Sequence, residues 1–144
     1  METPKQAQER IIERFASCRD ALDQFDQLLK LSAELEELED TLKSDDALVD
    51  GCQSQVWLYV DWPDGALRLR GDSDTLMVRG VIRIFQIMFE GRSPDAVLAC
   101  PLRFVEETEL ASIFDAKRKT GVASIWEVVR SSALEQQRKT GSCA

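Results

Sequence analysis

The stretch DGCQSQVWLYVDWPDGALRLR, residues 50–70, decides the fold. Val56, Leu58, Val60 and Trp62 alternate with Trp57 and Tyr59, the two-residue period of a β-strand. Both faces are apolar in the middle, so the strand expected over Gln53–Trp62 reads as central rather than as an edge. Pro63-Asp64-Gly65 carries turn chemistry. Beyond it, Ala66–Arg70 alternates Leu67 and Leu69 against Arg68 and Arg70, a second half-buried strand. On the near side, Asp50-Gly51 is a strong turn signal, because glycine takes a positive φ without steric cost. A short strand over Ala47–Val49 completes an expected three-stranded antiparallel meander.

Helices are expected on both sides. Thr3-Pro4 reads as an N-cap with proline at the first helical position, followed by an apolar stripe of Ile11, Ile12 and Phe15. Leu22, Phe25, Leu28 and Leu29 share a face of a second helix, and Leu31–Lys43 continues with helical propensity or loops before the sheet. Gly71-Asp72-Ser73-Asp74 leads into a third helix, with Asp72 or Ser73 as its cap. From Leu76 to Phe89 that helix is apolar almost all round, as a central buried helix must be, and Gly91 ends it. Ser93-Pro94 opens a short helix, Pro101–Leu110 another, and Asp115 caps a last one carrying Val122, Ile125, Trp126 and Val129. Helices, then a small sheet, then helices specify an α+β fold with the helices packed on the sheet. A chain of 144 residues is sized for one domain over 1–144, with its core at about 5–132 and a flexible tail over 136–144.

Composition narrows the function classes. A net charge of −8 argues against nucleic acid, which requires a basic stripe. Glu34, Glu36, Glu37, Glu39 and Asp40 read as a solvated helix face. Arg79 and Arg83 interrupt the longest apolar run, so no membrane span is expected. Residues 1–10 lack the apolar core of a secretory leader, which places the expected site of action in the cytoplasm. Cys18, Cys52, Cys100 and Cys143 form no C-x-x-C pair and fit neither a disulfide framework nor a zinc site. There is no histidine, which removes every Cys–His or Ser–His catalytic arrangement within the chain. No phosphate loop, nucleotide fingerprint or paired-carboxylate motif is present, and the chain itself calls for no metal or other cofactor.

Two residues stand out chemically. Cys52 follows a tight turn, flanked by Gly51 and by Gln53, Ser54 and Gln55, which are poor core neighbours and good loop lining. The residues alone leave it open whether this thiol is reactive or simply a small buried side chain. Arg118 lies one turn before Val122 on the last helix. It is either half of a structural ion pair or a fixed positive charge that would lower a thiol's pKa. Cys18 and Cys100 read as packing, Cys143 as part of the tail, and Trp57, Tyr59 and Trp62 as sheet packing.

The heptapeptide Gly51-Cys52-Gln53-Ser54-Gln55-Val56-Trp57 resembles the signature of the SufE-type sulfur acceptors. The similarity extends to Gly71-Asp72-Ser73-Asp74 with Val78-Arg79-Gly80-Val81-Ile82, and to Arg118 and Gly121 ahead of an apolar helix. Asp115-Ala116-Lys117 departs from that family's usual Thr-Pro-Ser, and Leu31–Lys43 lacks a proline often found there. The resemblance implies a partner of a pyridoxal-phosphate cysteine desulfurase. Cys52 would accept persulfide sulfur, stimulate the desulfurase and deliver the sulfur to an iron–sulfur cluster scaffold, with Arg118 as an accessory residue. In the family the acceptor loop rests against an apolar cavity and swings out on docking. The alternatives are an iron–sulfur scaffold, which needs about three converging ligands, a thiol redox protein, which needs a resolving cysteine, and a plain interaction module. Monomer and homodimer are both compatible with the sequence.

Overall fold

The computed structural model describes residues 2–52 and 54–141, apart from the side chains of Lys117 and Arg118. In chain order it contains α1 (Pro4–Ala16), α2 (Ala21–Glu34), β1 (Val56–Asp61), β2 (Arg68–Ser73), α3 (Leu76–Phe89), α4 (Pro94–Leu98), α5 (Leu110–Ile113) and α6 (Ala116–Gly141). Single 3-10 turns occupy Asp40–Leu42, Asp45–Ala47 and Pro63–Gly65. The α+β class is as expected; the three-stranded sheet is not. Among the described residues β1 and β2 pair alone, antiparallel, from Val56 opposite Ser73 to Asp61 opposite Arg68. The 3-10 turn at Asp45–Ala47 takes the first residue of the expected first strand. What survives is one bridge, Leu48 to Trp57, with the Val49 N–H donating to the Val56 carbonyl at 2.8 Å.

A two-stranded sheet is marginal in water without cover. One face, with Val56, Leu58, Leu67 and Leu69, packs into the main core beside Val81, Ile82 and Phe85 of α3. The other, with Trp57 and Tyr59, is roofed by Leu38, Leu42, Ala47 and Leu48. That roof explains why β1 reads as central although only a bridge flanks it. The outer edge of β2 is closed by side chains and loop. Glu90 accepts the Leu69 N–H at 2.9 Å, Gln86 donates to the Leu69 carbonyl at 3.0 Å, and Leu67 exchanges backbone bonds with Gly91 and Arg92.

The helices mostly follow their patterns. Thr3 forms a capping box with Gln6, and Ser93 caps α4. Gly91, at φ 79°, follows α3 as expected. In α2 the buried face is Gln24, Leu28, Leu31 and Ser32, continued by Leu35, whereas Leu22 is 76% exposed. The spacing pointed one step around the helix from the true face, because Gln24 is buried for its hydrogen bonds to the Phe15 carbonyl and Glu109 N–H. The helix expected over Pro101–Leu110 is absent: residues 101–109 form loop and turns before α5 begins at Leu110, held by Gln8, whose side chain accepts from the N–H groups of Arg103 and Phe104. The α6 stripe buries Val122, Ile125, Val129 and Ala133, and Trp126 stacks on Phe89 with centroids 5.4 Å apart. α6 continues helically through Gly141.

Asp72 is not a cap. It is the fifth residue of β2, its side chain 3% exposed, and it receives the N–H groups of Leu38 and Ser73, the Arg79 guanidinium and, at 3.6 Å, the Lys43 ammonium. Burial pushes its pKa up, but the two backbone donors and Arg79 outweigh that and hold the carboxyl below its ordinary range. A depressed folded pKa contributes stability above the unfolded value of about 3.9 and loses it as pH falls through the folded value. Asp72→Asn should therefore lower the urea midpoint at pH 7 and flatten its decline below about pH 4; equal declines in both proteins would show that Asp72 does not drive that limb.

Gly80 sets the spacing of α2 and α3. A Cβ there would lie 2.5 Å from the Leu28 carbonyl oxygen and 2.8 Å from Leu28 Cδ1. Alanine would gain about 1 kcal/mol of helix propensity but overpack a backbone contact that no rotamer relieves, at roughly 1–3 kcal/mol. Gly80→Ala should lower the urea midpoint at unchanged m-value; an unchanged midpoint would show that the two helices part freely.

Candidate functional site

Cys52 sits on the loop between the Leu48–Trp57 bridge and β1, so both ends of the loop are tied by the same backbone pairing. Gly51 takes φ 86°, as its turn role requires. A Cβ at Gly51 would stand 2.7 Å from Ser124 Oγ, so α6 also presses on the turn. These constraints deliver the half-buried Cys52 thiol to a cleft where β1, α3 and α6 meet, lined by Val56, Met77, Val81, Phe114, Val122 and Ile125. Its Sγ donates weakly to the Gly121 carbonyl at 3.8 Å, and a Cβ on Gly121 would lie 3.7 Å from the sulfur. The unfilled space is about 20 Å³, on the order of one water molecule.

A SufE-family model, described as an Fe-S metabolism associated domain, matches residues 9–133. The chain belongs to the SufE family. An uncharacterized SufE-like protein of Synechocystis sp. is 29% identical over 128 residues, covering 89% of this chain and 80% of that protein. The solution structure of a hypothetical protein from Thermus thermophilus superposes with a TM-score of 0.77 at 21% identity, over 96% of this chain and 99% of the other. That second likeness concerns the fold.

The loop is fastened to the start of α3. Ser73 Oγ donates to the Gln55 carbonyl at 2.8 Å, and the Gln55 N–H donates to Asp74 Oδ1 at 3.2 Å. Ser54 Oγ lies 2.7 Å from Thr75 Oγ1, which in turn donates to Asp74 Oδ1 at 3.1 Å. So Ser54 and Gln55, expected as loop lining, anchor this SufE loop through the Ser73-Asp74-Thr75 segment. Thr75 and the apolar wall carried no separate signal in the sequence. Phe114 drew no reading of its own, and Gly121 stood out only through the family resemblance it shares with Arg118.

Arg118 lies in the first turn of α6, three residues before Gly121. Its side chain, and Gln53 as a whole, fall outside the described residues, as does Cys143. Cys18 is half-buried beside the Arg14 carbonyl, and Cys100 is 1% exposed against Gln8. Among the described residues no three His, Cys, Asp or Glu side chains converge to hold a metal, and no helix is long and apolar enough to cross a membrane.

Burial pushes the Cys52 thiol up from its ordinary value, and no described cation opposes it. Burial thus favours the protonated form of the resting thiol. Its alkylation by iodoacetamide should rise with pH through an inflection above the ordinary cysteine value of about 8.5. An inflection near 7 would show instead that a positive charge, Arg118 foremost, reaches the sulfur.

Proposed function

We propose that Cys52 is the acceptor of persulfide sulfur from a pyridoxal-phosphate cysteine desulfurase, and that this chain stimulates the desulfurase and passes the sulfur to an iron–sulfur cluster scaffold. The observation that carries the reading is a thiol on a glycine-turned loop, turned into a small apolar cleft, in a SufE-family fold. The Cys52 sulfur attacks the outer sulfur of the desulfurase's Cys–S–SH. The S–S bond there breaks, the desulfurase cysteine leaves as a thiol by taking the Cys52 proton, and Cys52–S–SH forms. Sulfur changes carriers with no net oxidation, as in thiol–disulfide exchange.

The cleft supports both halves of such a cycle. A half-buried thiol whose charged form burial disfavours is a weaker nucleophile, which suits a resting carrier that must avoid peroxide. A loop held at its base but joined along its length by side-chain hydrogen bonds can leave the cleft while β1 stays in register. Leu76, at the first position of α3 and 61% exposed, adds an apolar contact for a docking partner next to the Met77 wall. Arg118 is assigned an accessory role near the exchanging sulfurs. A reducing cytoplasm is the setting this chemistry needs.

Peptide mass spectrometry after incubation with a cysteine desulfurase and cysteine should find one added sulfur on Cys52, removable by reductant and absent from Cys52→Ser. The same variant should lose the stimulation of desulfurase turnover. An unmodified Cys52 beside a turning-over desulfurase would overturn the reading for that pair.

A further inference from the structure

The outer edge of β1 is closed only at its start. The Val56 carbonyl accepts the Val49 N–H at 2.8 Å on the side away from β2, whereas the Gln55 carbonyl faces Ser73. Hydrogen-bonding directions alternate along an antiparallel strand, so Val60 also directs its N–H and C=O away from β2. The flanking pairing ends at the Leu48–Trp57 bridge, and beyond it no described segment pairs with this edge. Val60 is half-buried and Asp61 exposed, so the backbone here is open to water.

A groove runs beside this open edge. Residues 48–50 form one wall, next to the bridge, and α6 forms the other with Val128 and Ser132. Ser132 also accepts the Trp62 indole N–H at 2.9 Å, so the groove follows β1 from the bridge to the end of the strand. Its surroundings are acidic. Asp45, Asp46 and Asp50 are exposed about the bridge, and Glu127 and Glu135 line the α6 wall. Glu127 and Glu135 have Arg130 and Lys139 as exposed partners on their own helix, pairs of small energy. The cations nearest the sheet are drawn elsewhere: Lys43 lies 3.6 Å from the buried Asp72, and Arg70 reaches Asp61 from β2 at 3.5 Å.

We propose that the β1 edge at Val60 accepts an extended, basic segment of a partner protein by strand addition. The segment exchanges backbone hydrogen bonds with Val60 and becomes a third strand. Its residue opposite Val60 turns an apolar side chain toward Val128, and lysine or arginine side chains meet the carboxylates about the bridge and α6. A second copy of this chain is a poor occupant, because pairing β1 with β1 brings the acidic surroundings of both copies together. Val49 and Asp50 lead directly to Cys52, so the added strand lies beside the base of the cysteine loop. The proposal does not rest on the sulfur chemistry proposed above.

The probe is the heptapeptide acetyl-Lys-Val-Lys-Val-Lys-Val-Lys-amide, titrated into the isotope-labelled full chain and followed by amide NMR and hydrogen exchange. Without peptide, the Val60 amide should exchange far faster than that of Tyr59, which faces β2. Peptide should shift the Val60 and Trp62 amides saturably and slow exchange at Val60. The same peptide N-methylated at its central valine keeps every charge but loses a backbone donor, and should bind at least about tenfold more weakly. Val60→Pro, whose missing N–H an edge strand tolerates, should weaken binding similarly while leaving the far-UV circular dichroism unchanged. Equal binding of the two peptides would overturn the proposal by reducing the contact to surface charge, and this comparison decides the matter if Val60→Pro does not fold. Equal binding of a peptide with glutamate in place of lysine would overturn the basic occupant. Protection of the Val60 amide in the free chain, rising with protein concentration, would overturn it in favour of self-pairing. Shifts confined to other residues, or none that saturate, would also overturn it. None of these readouts involves sulfur transfer, so either reading can fail while the other stands.

Discussion

Asp72 keeps an ionised carboxylate out of water at the end of β2, and three separate parts of the chain are arranged to receive its charge. Leu38 reaches it from the roof over the sheet, Ser73 from its own strand, and Arg79 from α3. Arg79 also donates to the Leu35 carbonyl at the end of α2, which satisfies a backbone group the helix leaves open. One ion pair thereby fixes where the roof, the sheet and the central helix stand relative to one another. A buried pair of this kind is weak evidence for stability on its own, since desolvation offsets much of the attraction. Its effect here is geometric: every other placement of the three segments would strand a charge.

The cysteine site inherits that geometry. β1 is held against β2 on one side and bridged to Leu48 on the other, which closes the Cys52 loop at its base. Asp74 and Thr75, immediately past the Asp72 centre, fasten the loop along its length. α3 and α6 supply the apolar wall, with Phe114 from the turn before α6. The buried charge centre and the fastening of the Cys52 loop are thus two residues apart in the chain, Asp72 and Asp74.

Alternation and capping made much of this legible in the sequence. The paired strands, the Gly91 stop, the Ser93 cap and the α6 stripe all follow from local rules that operate within a few residues. The misreadings at Gln24, Gln8 and Asp72 share a cause, namely polar side chains whose partners are remote in sequence. Gln24 and Gln8 are buried to satisfy loop backbone, which turned the face of α2 and replaced a helix at 101–110 with turns. Asp72 looks like a cap from its neighbours and is a core ion because of Arg79 and Leu38. The first strand failed because Asp45–Ala47 curls into a 3-10 turn before pairing can begin. At the site, Cys52 and Gly51 were recognisable from turn chemistry and from the family heptapeptide. The cleft was not, since it is assembled from residues between 56 and 125 whose apolar character is indistinguishable from core.

The closed outer edge of β2 bears on how this molecule meets others. Glu90 and Gln86 occupy the Leu69 backbone, and the chain around Gly91 occupies that of Leu67. A foreign strand arriving along this stretch finds its hydrogen-bonding positions already filled. The sheet is therefore a closed unit there, protected from growth into larger assemblies even though it has only two strands. The closure involves the Leu67 and Leu69 backbone, so the helices and the Cys52 loop lie outside it.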